Sequence, residues 1–184
     1  MIRLSAILMV LAAPAFAQQP GPSVRADLDG DGVEELYTLL LEDPEAADPS
    51  NSADLVVQTA GKVRVVEGVV WQGNHDAGRP ELDIGPEDTL LLTAMNDGYG
   101  RHRWSETITI AHHDGDLRVT AVSYGWYDPL DLDAGETCDV DLVSGRGRVK
   151  TPEGSREIAA PFPPPLLWVW RAGTFVPFEV CGFE

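Results

Sequence analysis

The chain has 184 residues, with 13 Lys+Arg against 30 Asp+Glu and a formal net charge of -17. That length suits one domain, and 43% hydrophobic with 23% charged residues is ordinary globular usage, which excludes wholesale disorder. Such an acidic field repels a phosphate backbone, so no nucleic-acid partner is expected. Beyond the N-terminus no apolar run reaches the roughly 18 residues of a membrane-crossing helix, so no stable membrane insertion is expected either.

Residues 1–17 read as a cleaved signal peptide. Arg3 gives the positive end, 4–13 form a short apolar run, and Ala15 and Ala17 flank Phe16 as a small-x-small cleavage site. The expected location is periplasmic or secreted. Residues 18–23, with Pro20, Gly21 and Pro22, read as a flexible leader, and 24–184 as a single β domain.

The stretch Asp-Leu-Asp-Gly-Asp-Gly-Val-Glu-Glu over 27–35 carries the most chemical content. Carboxylates recur at Asp27, Asp29 and Asp31, and Gly32 permits a sharp turn. Alternate side chains of such a loop converge on one point. Val33 adds a carbonyl and Glu35 a carboxylate at the ninth position, a hard oxygen set that suits Ca²⁺. The pattern resembles the calcium loop of the FG-GAP/VCBS repeat family of integrin-type propellers, where an Asp-x-Asp-x-Asp-Gly-x-x-Asp loop leads straight into a strand. Asp27, Asp29, Asp31 and Glu35 match its ligand positions, with Glu for Asp at the last, and 36–40 match the strand. An EF-hand wants Glu at the twelfth place, where this chain has Thr38. One copy is visible, so the resemblance implies a structural Ca²⁺ site and not a propeller. Binding would order a loop of mutually repelling carboxylates, and its free energy would become free energy of folding.

The remaining elements read as strands broken by turns. Residues 33–42 are apolar-rich, and a strand is favoured over a helix; 43–51 form an acidic, Pro-bearing loop. Runs 54–60 and 62–67 flank Gly61 as a hairpin, and 82–84 and 89–94 flank the turn 85–88. The clearest hairpin joins 104–113 to 116–126 through Asp114 and Gly115. There Ile108 and Ile110 alternate with Thr107, Thr109 and Ala111, the period of a half-buried strand. Further hairpins are predicted for 139–143 with 146–150 and for 166–170 with 174–180. The prolines of 161–165 exclude a central strand and make a stiff connector. The second acidic stretch, Asp128 to Glu136, reads as a solvated loop. In all, nine or ten short strands predict an all-β antiparallel sandwich or a strongly twisted closed sheet.

Cys138 and Cys181 form an even pair and are expected to be a disulfide in an exported chain, worth roughly 4 kcal/mol by loop closure. His75, His102, His112 and His113 show no zinc spacing, and Ser105, Ser123 and Ser144 sit in no nucleophile elbow. The expected function is therefore an exported, non-catalytic, calcium-binding β module with a structural or binding role, its partner a protein or glycan. One alternative is a hydrolase or carbohydrate-active protein using an aromatic-lined groove. The polar loop from Asn96 to His102, with Asp97, Trp104, Tyr124, Trp126 and Tyr127, would form that groove. The other is an acidic inhibitor or partner-binding protein that meets a basic target.

Overall fold

The computed structural model describes residues 18–43 and 50–183. The expected signal peptide and most of the 43–51 loop lie outside them. Two antiparallel sheets organise the chain. The first orders β1 (Gln19–Ala26), β2 (Glu35–Leu41), β3 (Ser52–Thr59) and β4 (Lys62–Trp71) side by side. The second comprises β5 (Glu81–Ile84), β6 (Leu90–Asn96), β7 (Arg103–His113), β8 (Asp116–Asp128), β9 (Asp131–Asp141), β10 (Arg146–Thr151) and β11 (Gly154–Ala159). Within each sheet every strand pairs with its sequence neighbours, and the chain passes from one sheet to the other between β4 and β5. The all-β expectation holds, with eleven strands among the described residues rather than nine or ten.

Alternation explains the sheets. In β2, Tyr37, Leu39 and Leu41 are buried while the residues between them are half-exposed; in β3 the buried set is Ala53, Leu55 and Val57. The second sheet buries Leu90, Leu92, Ala94, Ile108, Ile110 and Val122, and both faces merge into one core. Each large aliphatic side chain buried there contributes about 1.5–3 kcal/mol. The turn joining β7 to β8 has Asp114 at φ 51° and Gly115 at φ 82°, the two left-handed positions expected of Asp-Gly.

Four expectations are corrected. Residues 18–23 are not a free leader, because β1 pairs with β2 from Gln19 onward. Its prolines are tolerated on an edge strand, where the register shifts between Pro20 and Ser23. The acidic stretch after Asp128 is not a loop but the start of β9, whose backbone pairs with β8 and whose Asp131, Asp133, Asp139 and Asp141 are exposed. A strand not expected, β11, pairs with β10 along its whole length. Finally, 166–170 and 174–180 form no hairpin. They hold a 3₁₀ turn (Leu167–Val169) and a short helix α1 (Pro177–Cys181), opened by a proline in its first turn.

That C-terminal segment packs across the core. Leu167, Trp170 and Phe175 are almost fully buried. The connector 161–165 is structural: the Pro164 carbonyl accepts from the Arg118 guanidinium at 2.8 Å and that of Pro165 from the Val119 amide at 3.1 Å. Ala172 N–H donates to the Gly68 carbonyl at 2.7 Å, fixing the next turn against β4. Cys138 of β9 and Cys181 of α1 form the expected disulfide, with Cα atoms 6.0 Å apart and both cysteines buried. Among the described residues no helix is long and apolar enough to cross a membrane.

Candidate functional site

The acidic loop is the connection between β1 and β2. Their register sets Ala26 opposite Glu35, so Asp27 and Glu35 stand at the mouth of one hairpin. Asp27 organises the loop: its Oδ1 accepts from the amides of Gly30 (2.8 Å) and Asp31 (3.1 Å), and its Oδ2 from Gly32 (2.8 Å). Gly30 and Gly32 lie at φ 73° and 87°, a curl that β-carbon-bearing residues resist. Asp29 Oδ1 accepts from the Asp31 amide at 3.1 Å.

This curl brings one carboxylate oxygen each from Asp27, Asp29 and Glu35 within 4.8 Å of one another. Asp31 does not join them; its Oδ1 accepts from the Val33 amide at 2.8 Å, closing a turn of its own. Glu35 is buried, at 5% exposure, and accepts from the Tyr37 hydroxyl at 3.2 Å and from the Leu28 amide. Burial, then the charges of Asp29 and Asp27, push its carboxyl above the ordinary range, although the Tyr37 and Leu28 bonds oppose this. Burial likewise raises the Tyr37 hydroxyl, with Glu35 adding to it. The donor set is hard oxygen, and the repulsion within it is the kind a divalent cation relieves.

Asp29 and Glu35 border a cavity of about 240 Å³ whose other walls include Lys62, Arg64, His112 and Trp168. No ion pair joins those cations to the cluster among the described residues. Arg64 instead lies over the Trp168 ring, 3.3 Å from its centroid, and the Trp168 indole donates to Asp116 at 2.8 Å.

Among the described residues the second acidic stretch forms no cluster of converging carboxylates. Asp128 accepts from Arg101, Glu136 from the Trp126 indole at 3.0 Å, and Asp139 from the Ser123 hydroxyl. Asp141 accepts from the Val143 and Ser144 amides, led by the Ser144 bond in holding its carboxyl below the usual range.

Four residues of the expected aromatic groove, Asp97, Trp104, Trp126 and Tyr127, border one depression of about 580 Å³, while Tyr124 borders a separate cleft. Cross-strand pairing sets Trp104 opposite Trp126 and, two residues on, Glu106 opposite Tyr124; Tyr127 lies on the other face, opposite Arg103. The Tyr127 hydroxyl donates to Asp97, and both line that depression with Trp104, Trp126, Met95 and Glu136. His102 meets the Tyr124 hydroxyl at 3.3 Å and lies between Trp126 and Phe178, with ring centroids 4.9 and 5.6 Å away. His113 lies 3.5 Å from its neighbour Asp114, and His75 stacks near Tyr99.

Glu106 was not singled out by sequence reasoning, yet it occupies the most unusual position. The alternation that buries Ile108 and Ile110 continues back to Glu106 and Trp104, so a carboxylate stands where the face calls for an apolar residue. Extending that alternation by two residues is the signal that finds it. Glu106 borders a cleft of about 230 Å³ walled by Trp71, Trp104, Tyr124, Phe175 and Pro177, with Ala172 and Gly173 at the rim. Trp71 meets Trp104 edge to face at 5.1 Å, and Trp104 stacks on Tyr124 at 6.1 Å. Among the described residues, neither a hydrogen-bond donor nor a cation partners the Glu106 carboxylate. Burial pushes that carboxyl up to about 7, and burial followed by the Glu106 charge pushes the Tyr124 hydroxyl up to about 12.

Compared with protein-family models, with curated proteins and with solved structures, the chain matches none.

Proposed function

We propose that this chain is an exported, non-catalytic β module that holds one Ca²⁺ in its β1–β2 loop as a structural staple, leaving its sheets to carry a binding role. The observation behind this reading is the convergence of Asp27, Asp29 and Glu35 within 4.8 Å at the mouth of a hairpin. Three carboxylates are the core of a calcium shell, and the Val33 carbonyl and water are the remaining oxygen donors available to the six to eight positions Ca²⁺ fills. A bound ion would clamp the end of β1 to the start of β2. Its effect would be on folding, since an unfolded loop of like charges has little affinity for it. Export is supported by the signal-like residues 1–17 and by the disulfide, which persists in oxidising compartments. A non-catalytic role is favoured because His102 and His113 meet Tyr124 and Asp114 rather than a nucleophile.

Thermal unfolding tests this directly, first in EDTA and then in millimolar Ca²⁺, on the wild type and on Asp29→Ala. Asp29 is exposed and braces only one amide, so its loss leaves the core intact. At about a hundredfold excess over Kd, Ca²⁺ adds about 2.7 kcal/mol, or roughly 5–11 °C in a chain of this size. The wild type should show that rise and Asp29→Ala should not. An unmoved wild type, or an equal rise in both, overturns the assignment.

A further inference from the structure

We propose that the cleft between Trp71, Trp104, Glu106, Tyr124 and Phe175 binds a small organic cation, a quaternary ammonium head group. This site is remote from the calcium reading and does not depend on it. Three features select the ligand class. Aromatic side chains wall the cleft, and the faces of such rings attract a cation through their quadrupoles. Among the described residues the single carboxylate has no cation of its own, so its negative charge is left uncompensated there. The volume of about 230 Å³ is below the range typical of drug-sized ligands, which fits a compact head group.

The scarcity of acceptors separates a quaternary ammonium from a primary one. A primary ammonium brings three N–H donors that must each find an acceptor. Here Glu106 is the one carboxylate in the lining, and the Tyr124 hydroxyl already meets His102 at 3.3 Å. A quaternary nitrogen has no N–H to satisfy and carries methyl groups that suit indole and phenyl faces. Glu106 and Tyr124 are also the only titratable side chains in that lining, the remaining walls being tryptophan, phenylalanine, proline, alanine and glycine.

Calorimetric titration of the oxidised protein at pH 8 with choline, with its uncharged isostere 3,3-dimethylbutan-1-ol and with ethanolamine tests the assignment. Choline should bind, and the isostere and the primary amine should each bind at least about tenfold more weakly. Glu106→Gln should lose about tenfold in choline affinity, and Trp71→Leu should lose a comparable factor with its far-ultraviolet spectrum unchanged. Lowering the wild type from pH 8 to pH 6 should cost about tenfold as Glu106 takes up its proton, and Glu106→Gln should lack that dependence. No heat with choline up to about 50 mM overturns the proposal. Equal binding of the isostere overturns it as well, since the cleft is then merely apolar, and equal binding of ethanolamine removes the quaternary selectivity.

Discussion

Replacing Glu106 with glutamine removes a charge from a face that otherwise buries Ile108 and Ile110, and its effect on stability is set by pH. The native carboxyl lies at about 7 against an ordinary value of 4.5, because burial disfavours its ionised form. The folded state therefore holds the proton more tightly than the unfolded chain. Whatever this group contributes is fully present below about pH 4.5 and is lost as pH rises through about 7. At 1.36 kcal/mol per pH unit the difference amounts to about 3 kcal/mol, and partial solvent access reduces it to about 2–3 kcal/mol. Glutamine keeps the shape and has no proton to lose. Relative to wild type, Glu106→Gln should be near neutral at pH 4.5 and more stable by about 2–3 kcal/mol at pH 8, roughly 4–12 °C in midpoint. Urea unfolding of both proteins across that range measures it. A gap that does not change with pH would refute the reasoning, since it would place the carboxylate in water or beside a cation.

Two further outcomes follow from the packing. Breaking the Cys138–Cys181 bond, by Cys181→Ala or by reductant, frees a 43-residue separation and should cost about 2–4 kcal/mol, read as a lower urea midpoint matched by wild type in dithiothreitol. Gly147→Ala places a methyl 2.9 Å from both the Asp139 carbonyl and the Ile158 side chain, where β9, β10 and β11 lie side by side. A destabilisation of about 1–3 kcal/mol is expected by thermal unfolding, and a neutral variant would show that β11 yields without cost.

What could be read from residue order was what local chemistry decides. Asp114 and Gly115 announce their turn because both must reach positive φ, and the strand before them shows its alternation at Ile108 and Ile110. The Asp27, Asp29 and Glu35 convergence was legible for the same reason, since one hairpin supplies all three. Asp31 was not separable from them. Whether a carboxylate turns to an ion or to its own backbone depends on the Val33 amide two residues on, and spacing cannot weigh those partners. The edge strand β1 was hidden by Pro20 and Pro22, which read as a leader until an adjacent strand makes their missing donors irrelevant. The two C-terminal runs carry apolar and aromatic residues as a strand does. Their side chains instead cross the core, where Trp170 and Phe175 are buried without a ladder to join. Glu106 escaped notice because a single acid in a strand is unremarkable until its face is known.

The Cys138–Cys181 bond has one more consequence. Phe175, Pro177 and the Ala172 and Gly173 rim, one whole wall of the aromatic cleft, come after all the described strands in chain order. That wall belongs to no sheet; beyond a few backbone bonds to β4 and β8, it is seated by buried side chains and by the covalent tie from α1 to β9. The meandering sheets rest on pairings between neighbouring strands, whereas the wall over Glu106 rests in part on the bond between two sulfurs. A cleft whose own lining contains no sulfur thus depends on the redox state of the solution around it.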